Sequence, residues 1–560
     1  MGGVADALAE PTARQAPIAK SVRRVLMSKV SDSKICIAIP DAARDNPGRM
    51  PTHTLAPFPA ELLAAKKQIR EMARSYGLDF YPVIFEMCDY EQMNQIAAYG
   101  GFPQRYPHWR FGSEYERLRK QHHYGLGRIY EMVINNDPCY AYLQESNPLV
   151  DQKLVIAHVY GHCDFFKNNL WFAPTNRKMM DEMANHSTRV RRHIERHGHD
   201  TVERFLDVAL SLEDLIDPHS LFLSRGPMES PQRTPPPREQ EVSKFRAKGY
   251  MDRWINPQSV LDAERKKLTA DAARIRHNTP ARPTRDVLLY LIQHAQLEDW
   301  QIDCLSIVRE ESYYFAPQGM TKVMNEGWAS YWHSTLMTKH FVTASEIIDY
   351  ADHHSGTVHM PPGGFNPYKI GIELFRDIED RWNRGKFGKE YEDADDLGAR
   401  KKWDKGLGLG REKIFEVRRV YNDVNFIDEF MTPEFIEKHK FYQYGRDPHT
   451  GQLRITSRDP VRIKQTLLYR LTNLGRPFIY VVDGNYANRG ELYLAHKHNG
   501  MDIEIKFAVE TLKNIHKIWR RPVHLQARID DETILFSFSG DQTKQQTISE
   551  DFPKPAHWVT

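Results

Sequence analysis

The sequence predicts an α+β protein in which a mainly helical main domain with a small sheet precedes a small α+β C-terminal domain. Apolar residues recur at helical spacing through most of residues 51–435, where only 79–87 and 127–144 have the aromatic and β-branched composition of strands. Beyond about residue 440 the apolar period changes to two, and Asp483-Gly484 is a turn signal between two such runs. This change of period predicts a second, smaller domain.

Chain length also favours more than one domain. The 560 residues exceed the ~250–300 residues at which a single core stops growing. A proline-rich stretch at 227–238 interrupts the helical pattern and indicates a linker or a surface insertion. We expect a mobile leader at 1–50, a main domain at 51–435 with a linker or insertion at 225–285, a C-terminal domain at 436–545 and a tail at 546–560.

Local patterns assign the elements in chain order. In the main domain they predict helices at 57–76, 113–123, 148–168, 179–216, 287–295 and 300–315, and strands at 79–87, 127–135 and 140–144. In the C-terminal domain they predict strands at 478–482, 491–495, 523–529 and 533–538 and a helix at 507–519. The aromatic and arginine-rich stretch at 105–112 is predicted to be a loop, and the glycine-rich stretch at 406–410 a flexible connection.

Composition excludes several classes of protein. The net charge is only +3, from 77 basic and 74 acidic residues, which argues against nucleic-acid binding. No apolar run approaches the ~20 residues of a membrane span, so no membrane insertion is expected. Five scattered cysteines without C-x-x-C spacing argue against a disulfide framework. These features predict a soluble protein of the reducing cytoplasm.

The stretch His158-Val-Tyr-Gly-His162 places two imidazoles four residues apart, so that both lie on one face of a helix. Leu154 and Phe166 share this face, which predicts that the histidines are buried and need partners for their ring nitrogens. A metal ion would supply one partner. Two core histidines bonded to backbone carbonyls are the alternative, because this spacing alone is a weak signal.

A second helical stretch, Met324–His333, carries a carboxylate on an apolar face. Glu326 recurs there with Val323 and Ser330 at helical spacing. A buried carboxylate needs a cation, and two histidines with one glutamate are a typical ligand set of a catalytic zinc site with one open position. We therefore predict that His158, His162 and Glu326 bind zinc or another divalent metal.

Other histidines and arginines are weaker candidates. His193 and His197 repeat the four-residue spacing but lie among arginines whose charge would oppose a cation, so we interpret them as a solvated helix face. Of the adjacent pair His353 and His354, one at most could join a shared site, because neighbouring side chains diverge. We predict that Arg110, Tyr331 and His354 contact a substrate.

Several long stretches together resemble the stage V sporulation protein R family. They are 106–112, 158–169, 324–333, 353–356 and 366–368, and the resemblance extends from about residue 55 to 540. It implies a cytoplasmic protein linked to formation of the spore cortex, a peptidoglycan layer, or to stress physiology. It also implies two partners by analogy: a serine protein kinase and a protein with a von Willebrand-type domain.

The ligand pattern also resembles that of gluzincin metallopeptidases, which implies a zincin-like main domain and cleavage of an amide bond. Those enzymes have a glutamate directly after the first histidine as general base, whereas Val159 occupies that position here. Two hypotheses therefore remain open. The chain is either a metal-dependent amide hydrolase or a non-enzymatic adaptor or regulatory scaffold in a kinase-linked pathway.

If hydrolysis occurs, another group must accept the proton of the attacking water. His333 lies two helical turns after Glu326 on the same face, roughly 10 Å along the axis, and is the first candidate. Glu311 and Glu145 are the next candidates, because each is an acidic residue close in sequence to an apolar segment or to the first ligand helix. Ordinary structural hydrogen bonds are the alternative for all three.

Overall fold

A computed structural model describes residues 58–123, 131–222, 251–266, 280, 282–447 and 449–548. The predicted leader, residues 549–560 of the predicted tail and the proline-rich stretch 227–238 lie outside the described residues, whereas the first residues of the predicted tail belong to a strand. The described chain is mainly helical with small sheets, as the sequence predicts. No helix within the described ranges has both the length and the apolar character needed to cross a membrane.

The elements are numbered in chain order. The helices of the first half are α1 (Ala60–Ser75), α2 (Tyr90–Ala98), α3 (Trp109–His123), α4 (Leu149–Asn168), α5 (Met179–His197), α6 (His199–Leu210), α7 (Asp252–Ile255) and α8 (Val287–His294). Those of the second half are α9 (Asp299–Met320), α10 (Lys322–Leu336), α11 (Ile347–Val358), α12 (Pro367–Arg384), α13 (Lys389–Glu392), α14 (Leu397–Lys402), α15 (Gly410–Val420), α16 (Asp423–Phe430), α17 (Pro433–His439), α18 (Pro460–Leu471) and α19 (Ile505–Trp519).

The strands form three sheets. They are β1 (Val83–Cys88), β2 (Glu131–Ile134), β3 (Cys139–Gln144), β4 (Gln443–Arg446), β5 (Leu453–Ser457), β6 (Phe478–Tyr486), β7 (Glu491–Lys497), β8 (Val523–Ile529), β9 (Glu532–Phe538) and β10 (Thr543–Thr547). The first sheet has the order β1-β3-β2, the last has the order β10-β9-β8-β7-β6, and β4 pairs with β5 alone. In the first sheet β1 is parallel to β3, and β2 is antiparallel to it at the edge.

Helices α4, α10 and α12 form the centre of the main domain. Glycines allow these helices to approach closely. A Cβ atom on Gly161 would lie 2.7 Å from Cα of Ala329, and a Cβ on Gly327 would lie 2.4 Å from Cα of Gly371. The two crossings hold α10 between α4 and α12, so that side chains of all three helices can face one another.

Helix α10 begins inside the protein, where its free backbone N–H groups need acceptors. The carboxylate of Asp423, at the start of α16, accepts hydrogen bonds from the backbone N–H groups of Val323 and Met324 at 2.8 and 2.9 Å. Burial raises the pKa of Asp423 to about 7 despite these two hydrogen bonds. This contact fixes the end of α10 that carries Glu326.

The five-stranded sheet shares a hydrophobic core with helices of the main domain. Leu492 and Leu525 in the sheet belong to the same buried cluster as Leu206, Leu291 and Ile307 in α6, α8 and α9. A backbone bridge between Thr284 and Val481 also joins the two regions. The C-terminal sheet therefore packs against helices that lie far before it in the chain.

The predicted elements agree with those observed, with one correction. Residues 105–112 were expected to form a loop, but α3 already begins at Trp109. The backbone N–H of Trp109 donates to the carboxylate of Glu203 in α6 at 3.1 Å, which caps the helix from another segment. Such a tertiary cap leaves no local signal. The sequence patterns do not predict the strands β4, β5 and β10 or the helices α2, α7, α11 and α13 to α18.

Candidate metal centre

His158, His162 and Glu326 meet where α4 crosses α10. The Nε2 atoms of His158 and His162 lie 3.7 and 3.5 Å from the same oxygen, Oε2 of Glu326. One potential ligand atom from each residue lies within 4.8 Å of the others, and all three side chains are buried. This is the arrangement expected of three protein ligands around one divalent ion.

The opposite ring nitrogen of His162 already has a partner. Its Nδ1 lies 2.9 Å from the side-chain oxygen of Asn325, so Nδ1–H is the donor and Nε2 carries the lone pair. Burial, followed by the charge of His158, lowers the pKa of His162 to about 4. His162 is therefore a neutral imidazole whose free lone pair points toward Glu326, the state that metal coordination requires.

His158 is held from behind by a row of histidines. Its Nδ1 lies 2.8 Å from Nδ1 of His333, and Nε2 of His333 lies 3.0 Å from Nδ1 of His354 in α11. When His158 donates to His333, and His333 donates to His354, all three rings are neutral and Nε2 of His158 is free. Burial, followed by the electrostatic effect of His158, lowers the pKa of His333 well below its usual range, which favours the neutral form of the His333 ring.

Glu326 contributes a buried oxygen without a hydrogen-bond partner. Its Oε1 accepts from Nζ of Lys322 at 2.7 Å, but no protein group among the described residues donates to Oε2. Burial raises the pKa of Glu326, but favourable interactions with its neighbours, among them the ammonium group of Lys322, outweigh burial and lower it, so the group is a carboxylate. Lone pairs of Oε2 and of two imidazoles thus face each other, and a cation between them would remove this repulsion. The donor set fits a zinc ion.

Two further polar side chains lie beside the three candidate ligands. Tyr368, in the first turn of α12, stacks on His158 with 6.1 Å between ring centroids, and burial, followed by the nearby charge of Glu326, raises the pKa of its hydroxyl. Glu131, in the edge strand β2, lies close enough to His158 and Glu326 for both charges to affect it. Burial, with the repulsion of Glu326, raises the pKa of Glu131.

The structure brings some predicted residues together and places others elsewhere. His333 and His354 lie behind His158, and both ring nitrogens of His333 are engaged there. The carboxylate of Glu311 is bound by Arg105 and His186, and Glu145 is exposed after β3.

The two remaining candidates for substrate contact also have protein partners. Arg110 forms a bidentate pair with Glu213 at 3.1 and 3.0 Å. The hydroxyl of Tyr331 donates to Glu379 beside Arg411. A contact between a substrate and either residue stays a prediction.

Sequence reasoning did not find Glu131, Tyr368 or Asn325. Glu131 is an acidic residue in an otherwise apolar strand, and this break in the pattern is a signal that could have been used. Tyr368 lies in one of the stretches that resemble the family, but nothing local indicates that it faces His158. Asn325 directly precedes Glu326, and its role follows only from the crossing of α4 and α10.

A second group of possible ligands, Glu182, His186 and Glu310, lies between α5 and α9. Both ring nitrogens of His186 already face carboxylates, at 3.1 Å from Glu311 and 3.3 Å from Glu310. Burial opposes the charge on this ring, but hydrogen bonds to Glu310 and Glu311 outweigh it and raise the pKa of His186 to about 9. We interpret this group as a buried imidazolium with its counter-ions.

The raised pKa of His186 leads to a prediction for the stability of the protein. The pKa of His186 is about 9 in the folded protein and about 6.5 in the unfolded chain. The charged ring therefore contributes fully to the free energy of unfolding below about pH 6.5, and this contribution is lost as the pH rises through about 9. The contribution is on the order of 3 kcal/mol. Urea unfolding at pH 6 and pH 9.5 should show this loss in the native protein and not in His186→Gln. His193→Gln, on the same helix, should retain it, and an equal loss in both variants would contradict the assignment.

Comparison with known proteins places these residues in a family. Residues 58–476 match the family described as SpoVR like protein, and residues 477–530 match its SpoVR-like C-terminal domain. The protein of Escherichia coli (strain K12) named uncharacterized protein YcgB is 31% identical over 500 residues, which cover 83% of this chain and 92% of that protein. No solved structure matches the chain.

Proposed function

The chain belongs to the SpoVR-like protein family, and from this premise we propose that it is a zincin-like, metal-dependent hydrolase that cleaves an amide bond. One observation carries the proposal: the unpartnered Oε2 of Glu326 faces the Nε2 atoms of His158 and His162. Asn325 and His333 orient the two rings from behind, as hydrogen-bond partners of metal-binding histidines do.

In this proposal a bound zinc ion supplies Lewis-acid chemistry, and the protein supplies the proton transfers. Glu131 accepts a proton from the attacking water as its oxygen bonds to the amide carbon. The same proton passes to the amine nitrogen as the C–N bond breaks. The hydroxyl of Tyr368 donates a hydrogen bond to the negative charge that develops on the carbonyl oxygen. Glu131 thus has the role of the glutamate that gluzincin metallopeptidases carry at the position of Val159.

The family name supports a biological setting for this chemistry. An amide hydrolase could act on the peptide bonds of peptidoglycan or of its precursors, which suits a role in formation of the spore cortex or in stress physiology. A cytoplasmic location, a serine protein kinase and a protein with a von Willebrand-type domain belong to the same proposal as setting and partners.

A scaffold function is the second candidate, and Val159 favours it. Val159 is completely buried in the core of the main domain, so no other group can reach the metal centre from that position. If Glu131 does not accept protons, a bound ion would hold α4 and α10 together without catalysis. The protein would then act as an adaptor in a kinase-linked pathway.

Hydrolysis of purified peptidoglycan fragments separates the two functions. We expect the zinc-loaded protein to release amines, and Glu131→Gln to lower kcat by about 10²–10⁴-fold with unchanged metal content, since it removes only the proton acceptor. Tyr368→Phe should lower kcat without changing the pH at which the rate rises. Glu510→Gln is the control and should keep the native rate, because Glu510 is exposed in α19 and contacts Lys513. Native rates in Glu131→Gln would contradict the proposed base, and the absence of release by the loaded protein would favour the scaffold.

A further inference from the structure

A large cavity lies away from the metal centre. It has a volume of about 930 Å³, which is within the range of small-molecule sites. Its walls come from α3, the end of α6, α9, the start of α16 and the segment 471–478, where the two family-defined parts of the chain meet. Among the described residues, the lining includes none of the three candidate metal ligands.

The cavity wall has ionised groups of both signs in equal number. Four arginines line it, and so do four carboxylates. Arg110 pairs with Glu213 in a bidentate ion pair, and Arg476 pairs with Asp214. Because these charges cancel, the wall gives no net attraction to an anion or a cation. It instead presents fixed hydrogen-bond donors and acceptors side by side.

Aromatic faces complete the lining. Trp109, at the start of α3, is 59% exposed although it is a large apolar side chain, and Trp171 lies on the same wall. The indole N–H of Trp109 donates to Asp207 at 2.6 Å, which fixes the ring. An exposed, immobilised indole presents a flat apolar surface to the cavity at little entropic cost to binding.

We infer that this cavity binds a saccharide of a few rings. Sugar hydroxyls both donate and accept hydrogen bonds, which matches paired arginine and carboxylate groups, and the apolar face of a pyranose ring matches an indole plane. A purely apolar ligand would remove water from these half-exposed ion pairs without replacing the hydrogen bonds to water, and a charged ligand would meet a repelling group beside each attracting one. The inference is independent of the proposed hydrolysis, because the metal centre does not line the cavity.

Titration calorimetry with chitotriose and maltotriose tests the inference. We expect at least one of these trisaccharides to bind, and Trp109→Ala to weaken binding at least about tenfold, whereas Trp109→Phe retains most of it because an aromatic face remains. Trp254→Ala is the matched control: Trp254 is 74% exposed but does not line the cavity, so affinity should not change.

A second variant tests the polar wall. Arg110→Met together with Glu213→Met removes one ion pair without leaving a lone charge, and it should also weaken binding at least about tenfold. The inference is overturned if neither trisaccharide binds at millimolar concentration, or if both cavity variants bind as tightly as Trp254→Ala. It is equally overturned if inorganic phosphate binds and competes with the trisaccharide, because the site would then select anions.

Discussion

Glu326→Gln is expected to remove metal binding from the protein. Glutamine has nearly the same shape as glutamate, but it cannot supply the anionic oxygen that faces the Nε2 atoms of His158 and His162 at 3.7 and 3.5 Å. Loss of a hydrogen-bond partner of a metal ligand already lowers affinity about 10–100-fold. Loss of the ligand charge should exceed this range, since the carboxylate is the one anion among the three candidate ligands.

The measurement is the metal content of purified protein, followed by competition with a chelator of known affinity. Native protein should retain about one ion per chain, and Glu326→Gln should retain none after the same dialysis. Glu379→Gln is a matched control on the neighbouring α12, where the carboxylate contacts Tyr331 and Arg411 instead. Native metal content in Glu326→Gln would refute the candidate site.

Substitution of the residues that hydrogen-bond to the ligand histidines should cause a smaller loss of metal affinity than substitution of a ligand. Asn325→Leu removes the acceptor for Nδ1–H of His162, and His333→Leu removes the partner of His158. Each should weaken metal binding by about 10–100-fold, less than Glu326→Gln does. If neither variant changes affinity, the two rings do not depend on the partners that hold them in the apoprotein.

The geometry of the centre shows which parts of it the sequence can predict. His158, His162 and Glu326 could be found because each lies on a helix that is rich in apolar residues and buried on almost every side, so that a polar residue in it faces the interior. That two buried polar groups share one site follows from the need of each for a partner. Local patterns therefore suffice for polar residues that interrupt a mostly apolar helix.

The position of His333 shows where this reasoning stops. His333 lies two turns after Glu326 on the same face, as predicted. Helices α4 and α10 run in opposite directions, however, so the start of α10 contacts His162 and the residues two turns later contact His158. The ring therefore contacts the back of His158. Helix spacing gives the face of a residue, but the direction of the neighbouring helix decides what that face meets. For the same reason Glu131 in an edge strand and Tyr368 in α12 could not be assigned to the centre.

Gly371→Ala is expected to destabilise the fold by about 3 kcal/mol or more, at or above the upper end of the range for overpacked cores. An added Cβ would lie 2.2 Å from the carbonyl oxygen of Val323 and 2.6 Å from Cα of Gly327, and both obstacles are backbone atoms of α10. Because a backbone cannot rotate away as a side chain can, α12 must move from α10. Gly356→Ala is the matched control: nothing lies within 4 Å of its added Cβ in α11, so alanine should be neutral or stabilising.

At the contact between α4 and α10, a substitution that separates the helices should also weaken metal binding. Gly161 lies between the two ligand histidines, and its added Cβ would lie 2.7 Å from Cα of Ala329, so Gly161→Ala should move α4 away from Glu326. We expect lower metal affinity and a lower free energy of unfolding in Gly161→Ala, measured by chelator competition and urea unfolding of the apoprotein. A folded Gly161→Ala protein with native metal affinity would show that the ligand distances do not depend on this helix contact. In that case the close approach at Gly161 would matter for packing alone, and the centre would be held by the hydrogen bonds behind His158 and His162.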